Sequence, residues 1–120
     1  MKQISGGAAA AKGFLAASTA AGIKYKDRKD MAMIFSQTPC KAAGTFTTNI
    51  VKAAPVKWDK DIVTNSPYAR AVVVNAGIAN ACTGEEGMSC CNETAAAAAA
   101  ALFIPADSVL VASTGVIGKQ

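Results

Sequence analysis

The chain has 120 residues, enough for one modest hydrophobic core and too few for two. Hydrophobic residues make up 52% and charged residues 17%, which excludes an intrinsically disordered segment. The formal net charge is +4, but the basic residues are scattered. Their one cluster, Lys24-Tyr-Lys-Asp-Arg-Lys-Asp30, mixes four positive with two negative groups and holds a single ring, Tyr25, so it reads as a solvated loop and no nucleic-acid partner is expected.

Alanine fills 27 positions and aromatics only 6%, so the core must be closely spaced backbone held by Val, Ile, Leu and a few rings. The longest apolar run, Ala95 to Pro105, is well short of the roughly 20 residues that cross a bilayer. Lys2 is followed by polar and glycine residues rather than by a secretory apolar region. No membrane partner is expected, and the chain reads as soluble, unexported and cytoplasmic.

In chain order, Phe14 to Gly22 is expected as a short strand of small residues, followed by the mixed-charge loop. Met31-Ala-Met-Ile-Phe35 is a continuous apolar run of strand length, the pattern of a strand covered on both faces. Ala43-Gly-Thr-Phe-Thr-Thr-Asn49 is β-branched and aromatic, and is expected to pair with it antiparallel across the Gln37 to Lys41 turn. Residues 50–60 are ambiguous: Asn49 can cap a helix through Ala54, and Pro55 is expected to limit it to little more than a turn.

Tyr68-Ala-Arg-Ala-Val-Val-Val-Asn75 reads as a central buried strand, with Gly77 ending it. Thr83 or Gly84 then opens the best helix, with Glu85 and Glu86 in the first turn, the Ala95 to Ala101 run extending it, and Pro105 as its stop. Ser108-Val-Leu-Val-Ala-Ser113 is the strand after it. Strand, helix, strand in that order predicts a right-handed crossover joining parallel strands side by side or one strand apart. With no repeat and no linker, residues 1–120 read as a single partial domain of α/β class.

Cys40, Cys82, Cys90 and Cys91 show no C-x-x-C spacing and the chain has no His, so no metal or zinc site is expected and the cysteines read as reduced thiols. The lack of His also removes any Ser-His or Cys-His nucleophile pair from this chain alone. An enzyme built on it must use another base or borrow groups from elsewhere.

Two segments could carry chemistry. Asn75-Ala-Gly-Ile-Ala-Asn-Ala-Cys-Thr-Gly84 leaves a buried strand at the carboxyl end of the sheet, where ligands sit in parallel sheets. It fits neither G-x-G-x-x-G nor the phosphate-loop pattern. Its plainer reading gives Gly77 a positive-φ turn, lets Asn80 bond nearby backbone, and makes Thr83 the helix cap. Ser113-Thr-Gly-Val-Ile-Gly118 follows the second parallel strand. There a hydroxyl of the Ser113-Thr114 pair and a free backbone N–H one peptide away can aim two donors at one oxygen, the requirement for an oxyanion hole, each donor being worth roughly 3 kcal/mol in a transition state. Its plainer reading is a strand end followed by a tight turn.

Eight collinear stretches carry a resemblance. They are Lys12-Gly-Phe-Leu-Ala-Ala17, Ala20-Ala-Gly-Ile-Lys24, Lys29-Asp-Met-Ala-Met-Ile34, Ala42-Ala-Gly-Thr-Phe-Thr-Thr-Asn49, Val51-Lys-Ala-Ala-Pro-Val56, Arg70-Ala-Val-Val-Val-Asn75, Ala79-Asn-Ala-Cys-Thr-Gly84 and Val109-Leu-Val-Ala-Ser-Thr-Gly-Val-Ile-Gly118. Together they resemble the N-terminal part of the ornithine acetyltransferase (glutamate N-acetyltransferase) family of arginine biosynthesis. The resemblance implies an αββα sandwich and acetyl transfer from N-acetylornithine to glutamate, with acetyl-CoA an added donor in some members and no bound cofactor. It also implies a precursor that cuts itself into alpha and beta chains, an α2β2 assembly, and a threonine at the new beta-chain terminus as nucleophile, its own α-amino group serving as base. The family's oxyanion pair falls on Thr114 and Gly115. The nucleophile falls after an Ala-Thr-Met-Leu-like motif that this sequence does not contain, so the chain reads as part of the alpha chain. Ile78 stands where the family usually has Asn, and Ala11 where it usually has Pro. An N-terminal-nucleophile hydrolase of related architecture and a non-catalytic fragment are the alternatives.

Overall fold

The computed structural model describes residues 5–120, so the export reading made at Lys2 lies outside them. A 3-10 turn at Gly7–Ala10 leads into β1 (Phe14–Thr19), then β2 (Met31–Cys40), α1 (Ala54–Asn65), β3 (Ala69–Ile78), α2 (Gly84–Leu102), a 3-10 turn at Ala106–Ser108, and β4 (Val109–Val116). The sheet order is β1-β2-β3-β4. The pairs β1/β2 and β2/β3 are antiparallel, and β3/β4 is parallel. The expected crossover is therefore present, with its two strands side by side.

The β1–β2 connection is closed by one residue. Asp30 is buried, and its carboxylate accepts the N–H of Ala21 and of Ile23 at 2.7 Å each, while its own N–H donates to Thr19 O at 3.1 Å. Burial opposes ionisation there, but the backbone N–H groups of Ala21, Ile23, Gly22 and Asp30 together outweigh it and hold this carboxyl below its ordinary value. The mixed-charge loop is thus organised from beneath. Above it, Lys24 and Arg28 each lie 5.0 Å from the Tyr25 ring centre.

The strand expected over residues 43–49 is absent: that segment carries no regular structure. Both edges of β2 are already occupied, by β1 and β3, so no ladder on β2 remains for it. The short helix expected to end near Ala54 is also corrected, since α1 begins there and runs to Asn65. Pro55 lies in the first turn, where its missing N–H would have had no helical partner, so it starts the helix instead of stopping it.

Both helices pack on one face of the sheet. The core there joins Ala71 and Val73 of β3, Val109 and Val111 of β4, and Cys91, Ala95, Ala98 and Ala99 of α2. The alanines let α2 lie close, so β4 buries Val109 completely. α2 stops at Leu102, before the expected Pro105, because Phe103 turns into the left-handed region (φ 55°) and the N–H of Ile104 closes back on Ala99 O at 3.0 Å. On the other face, Ile34, Val72, Val74 and Leu110 stay half-exposed. β2 and β3 are thus covered on one face, not both, and the described residues supply one α layer and one β layer. No helix among them is long and apolar enough to cross a membrane.

Candidate functional site

The parallel pair β3/β4 ends in a pinch. Ala76 faces Thr114, Gly77 faces Gly115, and Ile78 faces Val116. Gly77 (φ 119°) and Gly115 (φ 137°) both occupy backbone conformations that side chains rarely allow. A Cβ on Gly115 would run into the Gly77 carbonyl and stand 2.6 Å from the Ile78 nitrogen. Gly115 therefore lets the β4 backbone touch that of β3 where no other residue could, while a Cβ on Gly77 would press on Lys24 of the β1–β2 connection instead. Gly77 does not end β3, as the sequence suggests, but is carried within it.

Backbone direction alternates along a strand, which fixes where the donors of β4 point. Val116 O accepts the N–H of Ala79 at 2.9 Å, on the β3 side. Val109 O and the N–H of Val111 point the other way, to Trp58 Nε1 (2.9 Å) and Asp59 Oδ1 (2.8 Å) on α1. By the same alternation the N–H groups of Ser113 and Gly115 face the outer edge, beyond the reach of Trp58 and Asp59. Thr114 and Gly115 are both exposed. Side chains alternate too, so with Val109 and Val111 facing the helices, Thr114 rises from the opposite, open face. The two donors flank the corner where open face meets open edge.

Behind this corner, between the sheet and α2, lies a cavity of about 200 Å³ lined by Asn75, Ile78, Asn80, Cys90, Thr94 and Ser113 among others. Thr114 and Gly115 do not line it; their neighbour Ser113 does. The 75–84 loop holds its shape through Asn80, which is buried at φ 47°. Its Nδ2 donates to Gly87 O at 2.9 Å, and its Oδ1 accepts from Thr83 Oγ1 at 2.7 Å and from Gln120 Nε2 at 2.8 Å. Asn80 thus bonds nearby backbone as the sequence suggests. Thr83 differs from expectation: its hydroxyl is spent on Asn80, and no side chain caps α2. Gly87 has no room for a side chain because the Thr83 and Asn80 side chains press on it.

All four cysteines are free. Cys91, buried against Asn80, is pushed up to about 11 by burial and by the nearby charges of Asp59 and Cys90, so it stays a neutral thiol at physiological pH. Among the described residues no three His, Cys, Asp or Glu side chains gather as metal ligands would. Sequence reasoning did not find Asp30, Trp58 or Asp59. The last two act on a strand some fifty residues away, and nothing local to the Trp-Asp pair announces that contact.

A family model described as the ArgJ family matches residues 15–120. A Thermotoga neapolitana protein named arginine biosynthesis bifunctional protein ArgJ is 54% identical over 110 residues, covering 91% of this chain and 28% of that protein. A maize protein of the same name, described as chloroplastic, is 44% identical over 120 residues, covering 99% of this chain and 26% of its own length. Among solved structures, the Mycobacterium tuberculosis ornithine acetyltransferase complexed with ornithine matches at TM-score 0.87 and 47% identity, over 92% of this chain and 60% of that one. The Bacillus halodurans ArgJ structure matches at TM-score 0.85 and 40% identity, over 91% of this chain and 56% of that one. The chain spans little more than a quarter of the curated relatives it matches. With the family match running from β1 through the glycine pinch to the last residue, and the same α/β fold in two solved relatives, this chain belongs to the ArgJ family.

Proposed function

We propose that this chain is part of an acyltransferase of arginine biosynthesis that moves an acetyl group from N-acetylornithine to glutamate, and that Thr114 and Gly115 form its oxyanion hole. One observation carries the reading: the glycine pinch leaves the Gly115 N–H and the Thr114 hydroxyl, both exposed, at one corner of the sheet. The names of the relatives and the ornithine in the M. tuberculosis structure support the substrate class. In maize the relative is named chloroplastic; for this chain the reading includes a cytoplasmic location.

The nucleophile in this reading is a threonine at the amino terminus of a second chain, its α-amino group taking the hydroxyl proton. An unperturbed α-amino group has a pKa of roughly 8, near enough to neutrality to act. Attack forms a carbon–oxygen bond and drives the carbonyl electron pair onto oxygen, where Thr114 and Gly115 donate. Collapse breaks the carbon–nitrogen bond, returns the proton to the departing ornithine amine, and leaves an acetyl ester on threonine. The amino group of glutamate then repeats the attack, and N-acetylglutamate leaves. No cofactor is required, and acetyl-CoA would enter only as an alternative donor.

A ratio of lengths supports the two-chain part. The chain covers 28% of the T. neapolitana relative but 56% of the B. halodurans chain, so the solved chain is about half as long as the curated one. A precursor cut into two similar chains leaves that ratio, and an α2β2 assembly belongs to the same reading. The test is to assay the full-length protein with N-acetylornithine, with and without glutamate, and to weigh its polypeptides. Ornithine release that depends on glutamate, with a second polypeptide beginning at threonine, is the expected result. Acetate release without glutamate would make it a hydrolase, and an uncut, inactive chain would end the reading.

A further inference from the structure

β3 outruns its neighbour on the β2 side. β2 begins at Met31, opposite Asn75, so Ala76, Gly77 and Ile78 lie beyond its end. These are the three residues that face Thr114, Gly115 and Val116 across the parallel ladder. The β1–β2 connection takes over on that side and touches β3 at two successive residues. Asp30 O accepts the Ala76 N–H at 2.8 Å. One residue on, a Cβ built on Gly77 would stand 2.9 Å from the Lys24 Cβ and 3.2 Å from Cγ2 of Ile23, so the 23–24 turn lies flush on the glycine.

One side chain holds that turn in place. The buried Asp30 carboxylate gathers the N–H groups of Ala21 and Ile23 from beneath, and Ile23 leads directly into Lys24. Residues 24–29 are exposed, so burial of their own side chains contributes little to fixing it. Gly77 then has the turn where a side chain would stand and the Gly115 backbone on its β4 side. With no side chain between these backbones to absorb a shift, a displacement of the turn is passed on to Gly115.

We propose that Asp30 is a positioning residue for the oxyanion hole, acting through the 23–24 turn on Gly77 and through Gly77 on the Gly115 N–H. The inference rests on the oxyanion reading of Thr114 and Gly115 and extends it to a buried side chain behind the site. Oxyanion donors act only within a narrow range of distance and angle, so a small shift of the Gly115 N–H is read in turnover more than in substrate binding.

Variants of the full-length enzyme test it, assayed for acetyl transfer with rates referred to folded protein. Asp30→Asn keeps the size of the side chain but turns one accepting oxygen into a donor facing an N–H. Lys24→Gly removes the contact on Gly77 and leaves the carboxylate alone. Each should lower kcat about tenfold at unchanged KM. Lys24→Ala, which keeps the Cβ and loses the ammonium group, should recover most of the rate. With isotope-labelled glycine and no substrate, the Gly115 amide resonance should move in Asp30→Asn and Lys24→Gly and stay in place in Lys24→Ala. Wild-type kcat in either Asp30→Asn or Lys24→Gly would overturn the proposal, as would an unmoved Gly115 amide. A loss in Lys24→Ala equal to that in Lys24→Gly would assign the effect to the charge and overturn it as well. Thr114→Ala in the same assay separates this failure from that of the oxyanion reading: if it alone loses turnover, only the Asp30 assignment falls.

Discussion

The two halves of β4 are built in opposite ways. Its first half is closed: Val109 and Val111 are buried under α2, and Trp58 and Asp59 occupy the backbone edge. Its second half is open: Thr114, Gly115 and Val116 are exposed, and no side chain of α1 bonds the edge beyond Val111 among the described residues. One continuous strand thus holds an exposed corner by anchoring the residues before it. At that corner the Gly115 backbone packs directly on that of Gly77, with no room between them for a side chain.

Six substitutions, two of them controls, probe how the strand and its surroundings are held. Gly115→Ala should cost the most, about 3 kcal/mol or more in urea unfolding, because it combines a forbidden φ with a collision against the Gly77 backbone. Its control is Gly118→Ala, also at positive φ (72°) but with open space around it, where about 1 kcal/mol is expected. Equal costs at the two positions would mean that the pinch contributes nothing beyond φ.

In the closed half, Val109→Ala should cost about 2 kcal/mol through the cavity it leaves. Asp59→Ala should cost about 1–2 kcal/mol by stranding the half-buried Val111 N–H, with Asp59→Asn restoring most of it. The smallest effect should be favourable: Phe103→Gly relieves a left-handed residue at an exposed helix end and should add about 1 kcal/mol.

Acid separates buried Asp30 from half-buried Asp59. Asp30 has its value lowered in the folded state, so its contribution is complete above the unfolded value of 3.8 and disappears as pH falls through the lower folded value. Burial raises that of Asp59, against the Val111 N–H, so its ionisation removes stability as pH climbs from 3.8 through the higher folded value. Stability measured from pH 5 down to pH 2 should therefore fall less steeply in Asp30→Asn than in the wild type. Parallel curves would show that the 21–23 turn does not depend on this carboxylate.

The part of the fold that could be read from sequence is the part made by local pattern. Three consecutive valines, an alanine-rich helix opened by two glutamates, and a second β-branched run specify β3, α2 and β4, with their parallel pairing, because a right-handed crossover leaves little choice. What stayed hidden depends on competition at a distance. Residues 43–49 have the composition of a strand, but β1 and β3 hold both edges of β2. Pro55 breaks a helix or starts one according to which turn it falls in, and only the chain around Ala53 decides that. At the site, Thr114 and Gly115 could be singled out as neighbouring donors, yet the reason position 115 must be glycine lies on β3. Asp59, which closes the edge just before them, had no signature at all.

In the proposed reaction Thr114 and Gly115 stabilise an oxyanion, and the decisive measurement is kcat of the full-length enzyme for acetyl transfer. Thr114→Ala should lower kcat about a hundredfold with KM and unfolding midpoint little changed, and Thr114→Ser, which restores a hydroxyl, should recover most of the rate. Turnover in Thr114→Ala equal to that of the wild type would rule out an oxyanion role for this hydroxyl.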